Sequence, residues 1–135
     1  MRGRSQSAKR MLEVQKHLHS IEELKYLRLK QQIDKCETEQ RELTEALSSE
    51  DALHGLFLDM SVRRIQALKQ EEIRLIPLLQ RQARVLVDHG GRIKNTERLV
   101  KELEYEERRA EERSDLEEIL EVMLAKSSAS LKQDR

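Results

Sequence analysis

The stretch "ALSSEDALHG", residues 46–55, decides the predicted fold because it separates two long helical patterns. Ser48, with Asp51 three residues later, resembles a capping box, and Ser49 is an equally good N-cap. One helix is therefore expected to end here and a second to begin somewhere within residues 48–56.

The composition favours long helices over a layered core. Charged residues make up 39% of the 135 residues and aromatic residues 2%, with one Pro and four Gly. So few large side chains cannot fill the interior of a globular domain, and so few helix breakers favour continuous helix. The net charge of zero excludes a uniformly basic nucleic-acid-binding protein. A single cysteine, Cys36, excludes a disulfide framework.

Before the break, apolar residues recur with coiled-coil spacing and predict a first helix over about residues 6–47. The first group consists of Met11, Val14, Leu18 and Ile21, and the second of Leu29, Ile33, Cys36, Gln40, Leu43 and Leu47. We interpret both groups as one interhelical seam with a local irregularity at Lys25, and Cys36 as a small buried residue of that seam. The basic N-terminus preceding it is expected to be solvated and frayed.

After a turn at about 48–52, a longer pattern predicts a second helix over about 53–126, followed by a frayed tail, 127–135. Its predicted seam contains Ile65, Leu68, Ile73, Ile76, Leu79, Ala83, Leu86, Gly90, Ile93, Leu99, Leu103, Ala110, Leu116, Leu120 and Met123. We expect Pro77 to kink this helix near 73–77 without ending it, and the helix to continue through Gly90 and Gly91.

The predicted fold is therefore all-α, a single antiparallel two-helix coiled-coil hairpin with a long second helix. In this arrangement the acidic segment from Glu104 onward lies opposite the basic N-terminus. A homodimer that buries the seam between two chains is the alternative.

No catalytic or cofactor site is expected. The carboxylates around Glu106 and Glu111 lie on a predicted rod, which has no dry pocket of the kind that a general acid needs. The histidines lack the spacing of metal ligands on a helix, and "DHGGRIKNT", residues 88–96, is not a phosphate loop. A loose basic stripe at 63–84 lacks the aromatic residues typical of nucleic-acid binding. The N-terminus has no apolar run suited to a signal peptide or membrane span, so a cytoplasmic protein is expected.

Two groups of residues are candidate partner-binding sites. The apolar residues Leu56, Phe57, Leu58 and Met60 cannot all lie on one helical stripe, so at least one is expected to be exposed. Farther along, Arg108, Arg109 and Arg113 fall within six residues. Arg109 and Arg113 share a helix face, and Arg108 lies about 100° from Arg109.

The stretch "RIKNTERLVKELEYEERRAEERSDLEEIL", residues 92–120, resembles the FliJ/YscO family of small stalk proteins in flagellar and injectisome type III export. Leu99, Leu103 and Arg108 are similar to a leucine and basic run in the second helix of that family. The later "DLEE" at 115–118 looks like its charged closing element in altered order. Pro77 and the glycine pair depart from the smooth rod of the family.

The resemblance implies a non-enzymatic stalk whose helical ends insert into a hexameric export ATPase and couple it to the export gate at the inner membrane. Export chaperones are further implied partners, and neither nucleic acid nor a cofactor is implied. Two other functions stay open: a homodimeric structural or adaptor coiled coil, and an export chaperone that holds a partner helix against residues 53–60.

Overall fold

In a computed structural model, which describes residues 2–49 and 55–133, the chain forms two α-helices. Helix α1 is Arg2–Ser48 and helix α2 is Gly55–Gln133. Their contacts divide into two units, Met1–Val14 with Ile93–Arg135, and Gln15–Arg92. In each unit, residues later in α1 contact residues earlier in α2, so the helices pack antiparallel. The predicted all-α helical hairpin is confirmed.

The helix ends differ from the predicted boundaries. Helix α1 begins at Arg2 and not at about residue 6, and α2 continues to Gln133 and not to about 126. No Gly or Pro interrupts residues 127–133, so nothing in this segment stops the helix. The hydroxyl of Ser48 donates to the Thr44 carbonyl, 2.9 Å away, within the last turn of α1. The predicted partner in the capping box, Asp51, lies outside the described residues.

Helix α2 runs through the expected weak points without a break. It continues across Pro77 and across Gly90–Gly91, as predicted. An internal proline costs a helix about 3 kcal/mol, so tertiary packing has to offset it. Leu75, two residues before the proline, supplies such packing, because it is only 2% exposed. The kink near 73–77 stays a prediction.

The seam of α1 follows one uninterrupted heptad phase. Its buried and half-buried members are Ser5, Ala8, Leu12, Gln15, His19, Glu22, Tyr26, Leu29, Ile33, Cys36, Gln40, Leu43 and Leu47. The prediction was correct from Leu29 onward and wrong for Met11, Val14, Leu18 and Ile21, which are 48–58% exposed. The alternating steps of three and four residues that relate the seam positions from Leu29 to Leu47 continue unchanged toward the N-terminus. There they place polar residues in the seam. The irregularity predicted at Lys25 therefore does not exist.

The seam of α2 is equally regular. It consists of Ser61, Ile65, Leu68, Glu72, Leu75, Leu79, Gln82, Leu86, His89, Ile93, Thr96, Val100, Leu103, Glu107 and Ala110, all buried or half-buried. Three predicted members, Ile73, Ile76 and Leu99, are exposed instead, because they fall outside this phase. The predicted extension through Leu116 is also wrong, since α1 already begins at Arg2 while its Ser5 bonds to Glu107.

Apolar packing is concentrated in two small clusters. In the unit Gln15–Arg92, the buried residues are Ile33, Cys36, Leu68 and Leu75. In the other unit, they are Ala8, Val100 and Leu103. Burial raises the pKa of the Cys36 thiol, which favours the unreactive protonated form. The prediction that Cys36 is a buried seam residue is confirmed.

Candidate functional surfaces

Polar side chains join the helices across the seam of the unit Gln15–Arg92. The Gln82 amide donates to the Glu22 backbone carbonyl at 2.9 Å and to its carboxylate at 2.5 Å. The hydrogen bond from Gln82 is the main cause that lowers the pKa of the Glu22 carboxyl, and a hydrogen bond from Lys25 is the second. Farther along, the Gln40 amide donates to the Glu72 carboxylate at 2.8 Å. These two contacts connect particular residues, so they define the register of the helices.

Two histidines from opposite helices meet in the same unit. The ring centroids of His19 and His89 lie 6.3 Å apart, with the planes tilted by 31°. The His19 Nε2 atom lies 3.0 Å from the Glu23 carboxylate. The sequence analysis did not predict this pair, because it considered the spacing of histidines within one helix only. The signal for it was that His19 and His89 both occupy seam positions of the heptad pattern of their helices. Within the described ranges, no group of three or more His, Cys, Asp or Glu could hold a metal ion.

In the unit Met1–Val14 with Ile93–Arg135, polar contacts join the start of α1 to α2. The Ser5 backbone N–H donates to one Glu107 carboxylate oxygen at 3.1 Å, and the Ser5 hydroxyl donates to the other at 2.6 Å. The Ser5 hydroxyl lowers the pKa of Glu107. The Lys9 ammonium lies 2.9 Å from the Glu104 carboxylate, which raises the pKa of Lys9.

The basic N-terminus is therefore not the frayed segment that was predicted. Ser5 and Ala8 are buried, because their side chains occupy the seam positions nearest the start of the helix. The predicted apposition of this segment with the acids from Glu104 onward is confirmed in this unit.

The three predicted arginines are exposed on α2 and divide between two faces. Arg108 lines a polar groove that also contains Ser5 and Lys9. The Arg109 guanidinium lies 5.7 Å from the centroid of the Tyr105 ring. The Arg113 side chain donates to the Arg109 backbone carbonyl at 3.4 Å. Only Arg109 and Arg113 are brought together, as their spacing predicted.

The last part of α2 is the most exposed segment described. Every residue from 111 to 132 is exposed, a segment that we call the overhang. Its large apolar residues, including Leu116, Leu120 and Met123, are between 51% and 69% exposed. Sequence reasoning treated these residues as seam because it had no measure of where α1 would begin.

The four apolar residues at the start of α2 are all exposed, whereas the sequence predicted exposure for at least one of them. Leu56 is 74% exposed and Phe57 42%, and Leu58 and Met60 fall between these values. This cluster follows directly on residues 50–54, which lie outside the described part of the chain. It is therefore a candidate contact surface at the start of a helix.

Comparison with family models, with curated proteins and with solved structures finds no match to the chain. Among the described residues, neither helix contains a segment that is long and apolar enough to cross a membrane.

Proposed function

We propose that the chain is a non-enzymatic stalk protein of a type III export apparatus, flagellar or injectisome. In this proposal it works in the cytoplasm, at the inner membrane, and couples a hexameric export ATPase to the export gate. The overhang is the observation that carries the proposal. A helix that continues alone beyond a two-helix segment is a shape that can enter the opening of a ring.

The dimensions of the overhang suit this role. Residues 111–132 are 22 exposed helical residues, and at about 1.5 Å per residue they extend about 33 Å. The run preceding the apolar stripe of the overhang, 104–115, is dominated by charged side chains. Over this run, a charged surface does not adhere to a polar ring lining as the exposed apolar residues farther along the overhang would. This offers a physical reason why a long helix should have so few apolar residues over the run 104–115.

Arg108, Arg109 and Arg113 lie just before and at the start of the overhang, where a ring would close around it. Because they occupy two faces, they can reach carboxylates of more than one subunit. Exposed ion pairs at a rim mainly set the association rate and its salt dependence. In this proposal the arginines guide docking and add little to the stability of the hairpin.

The cluster of Leu56, Phe57 and Met60 is proposed as a second partner site. Its exposure also supports the other function left open, an export chaperone that holds an amphipathic helix of its cargo. The homodimer in which two chains share one seam stays the alternative; the hairpin supports the stalk proposal because each unit packs α1 against α2 of the same chain.

The decisive experiment measures stimulation of the export ATPase from the same organism by the purified protein across a salt series. We expect the wild type to stimulate, and the triple variant Arg108→Glu, Arg109→Glu and Arg113→Glu to lose most of the stimulation at low salt. Arg63, Arg81 and Arg84, changed together to Glu, provide a control with the same change of charge.

The control variant is expected to stimulate as the wild type does. If the wild type neither binds nor stimulates the ATPase, the stalk proposal is wrong. If the triple variant and the wild type stimulate equally at every salt concentration, the stalk survives but the arginines have no part in docking.

A further inference from the structure

In the unit Gln15–Arg92, helix α2 carries a second apolar stripe beside its seam. Each member directly follows a seam residue from Ser61 to His89, which places it about 100° around the helix from that residue. We call this set the second stripe, and it consists of Val62, Gln66, Lys69, Ile73, Ile76, Gln80, Ala83, Val87 and Gly90. Its four large apolar residues are between 39% and 74% exposed. Since α1 packs along the seam, it leaves these side chains largely in solvent.

The second stripe differs from the equivalent faces elsewhere in the chain because it has almost no charge. Lys69 is its single charged member. On α1, the nine residues that follow the seam positions from Gln15 to Leu43 include six charged ones, Lys16, Glu23, Lys30, Asp34, Glu37 and Arg41. On α2, the residues that follow the next six seam positions are all charged, namely Lys94, Glu97, Lys101, Glu104, Arg108 and Glu111. A helix with two stripes of low charge is suited to contact two neighbouring helices.

The second stripe matches an antiparallel copy of itself. Reversing a heptad stripe preserves its alternating steps of three and four residues, so two copies can pair along their full stripes. One register pairs Val62 with Val87, Gln66 with Ala83, Lys69 with Gln80, and Ile73 with Ile76. In this register all four large apolar residues face one another, and the charged residue faces an amide.

Other arrangements of two copies match poorly. A slip of one heptad in either direction would place Lys69 opposite Ile73 or Val87 and remove the apolar pairs. A parallel arrangement would place Lys69 directly opposite Lys69 of the second copy, and such like-charge contacts disfavour association. The residues of the stripe therefore select one antiparallel register.

We propose that α2 of one copy of this chain binds α2 of a second copy through the second stripe, antiparallel and in this register. The two-fold axis passes at the level of Arg74 and Leu75, and the closed symmetry prevents growth into a filament. Both intrachain seams stay closed, so the product is a dimer of intact hairpins and differs from the homodimer that shares one seam. The proposal rests on no part of the proposed export function.

The charged residues beside the second stripe are compatible with this pairing. Arg63 and Arg84 lie along its outer edge, and the Asp59 carboxylate, 3.3 Å from the Arg63 guanidinium, offsets one of these charges. The resulting net charge of +1 per copy is small and is screened at physiological salt. On the other side of the stripe, the Glu72 carboxylate accepts a hydrogen bond from the Gln40 amide at 2.8 Å, which directs it into the intrachain seam.

The contact is expected to be weak, because only four of the nine positions in each stripe carry large apolar side chains. We expect a Kd on the order of 100 μM, so that the chain is mostly dimeric at about 1 mM and mostly monomeric at about 1 μM. The free energy of unfolding of the hairpin, measured at about 1 μM, therefore contains no contribution from the dimer.

Cross-linking tests the register. In a background with Cys36→Ala, the pair Val62→Cys and Val87→Cys is oxidised under mild conditions at about 1 mM and analysed on a non-reducing gel. About 38 Å of helix separates the two positions within one chain, so a disulfide between them forms only between copies. We expect a covalent dimer.

Two control pairs retain Val62→Cys. In the first, Val85→Cys replaces Val87→Cys and lies about 200° around the helix from it. In the second, Gln80→Cys occupies the position that a slip of one heptad would bring opposite Val62. Both control pairs are expected to cross-link at least tenfold less, and equal cross-linking of either one would overturn the proposal.

Sedimentation equilibrium provides the second measurement. Between about 1 μM and about 1 mM, the wild-type mass should rise from the 15.9 kDa of the chain toward twice that value. Ile73→Gln with Ile76→Gln should stay monomeric at about 1 mM with unchanged helicity, since both side chains are exposed in the single hairpin. The control, Leu18→Gln with Ile21→Gln, changes two similarly exposed residues of α1 and should dimerise as the wild type does.

Three results of the mass measurement would each overturn the proposal. These are a wild type that stays monomeric at about 1 mM, a variant of Ile73 and Ile76 that dimerises as the wild type does, and an open series of higher masses. Absence of ATPase binding would not affect it.

Discussion

At the scale of the residue, the hairpin depends on a few well-buried side chains within a largely polar seam. Leu75 is the most deeply buried large residue described, and it packs with Ile33, Cys36 and Leu68. Its neighbour Ile73, two residues away, is 62% exposed, although sequence spacing assigned it to the seam. Stability should therefore be distributed very unevenly between similar apolar residues of the same helix.

Leu75→Ala is expected to lower the free energy of unfolding by about 2–5 kcal/mol, because it removes buried methyl groups and leaves a cavity. Ile73→Ala is the matched control and should cost less than about 1 kcal/mol, since most of that side chain is already in water. Urea unfolding followed by circular dichroism measures both. Equal losses for the two variants would contradict the assigned heptad phase.

The histidine pair gives a second prediction at this scale. Changing His19 and His89 together to Leu should stabilise the hairpin by about 1–3 kcal/mol, because apolar contact replaces two polar rings in the seam. The melting temperature is then expected to rise by at least about 4 °C. His17→Leu, outside the seam phase on an exposed face of α1, serves as the control. A lower melting temperature in the double variant would mean that the polar pair itself stabilises the fold.

At the scale of the element, the fold was predictable where one strong signal dominates. The break around Ser48 and the scarcity of glycine and proline were enough to predict two long helices and their antiparallel order. The apolar half of the α1 seam was equally clear, because Leu29 to Leu47 offers no competing stripe. Between Met11 and Ile21 two stripes compete, and the more apolar one is exposed. The apolar content of each stripe alone cannot show which one faces α2. The buried stripe is the one that continues the heptad phase of the residues from Leu29 to Leu47.

The candidate surfaces were predictable to a smaller extent. Local spacing predicted that at least one of the four apolar residues at 56–60 is exposed, since a helix cannot bury every face. The Ser5–Glu107 and Gln82–Glu22 contacts could not be foreseen, because they depend on the register between helices distant in sequence. The overhang was missed for the same reason, as its length depends on which residue of α2 lies opposite Arg2.

Deleting residues 111–135 tests the independence of the overhang. This removes 23 of the 126 helical residues described in α1 and α2, so the helical signal should fall by about a fifth. The melting temperature should change by less than about 2 °C, because no residue from 111 onward belongs to the seam between α1 and α2. Deleting residues 97–135 is the control, because it removes Val100, Leu103 and Glu107 from the seam. A large loss of stability in the shorter deletion would show that the overhang packs on the hairpin.

At the scale of the whole molecule, each of the two units contains a seam carboxylate bonded across the helices, Glu22 in one and Glu107 in the other. Both carboxyl groups have a lowered pKa, chiefly through hydrogen bonds from Gln82 and Ser5. A carboxyl with a lowered folded pKa stabilises the fold above its unfolded pKa, and this contribution is lost as the pH falls through the folded pKa. The polar seam therefore makes acid sensitivity a property of the entire hairpin.

We predict that the melting temperature falls as the pH is lowered from 5 to 3, and that the double variant Glu22→Gln and Glu107→Gln flattens this dependence. A paired substitution of exposed overhang acids, Glu117→Gln and Glu121→Gln, should leave the slope as in the wild type. Thermal melts followed by circular dichroism across the pH series provide the measurement. An unchanged slope in the seam variant would assign the acid sensitivity to other groups.

The polar contacts of the seam also have a mechanical consequence. A coiled coil of uniform leucines can slide by one heptad and recover nearly the same packing, because every seam position is equivalent. In the unit Gln15–Arg92, a slip of seven residues would move Gln82 away from Glu22 and bring either Leu75 or His89 to its place. Gln40 would at the same time face Ile65 or Leu79. Only one register of the two helices therefore keeps these polar contacts. Under a pulling force along the helices, we expect the helices to separate and not to slide past each other one heptad at a time.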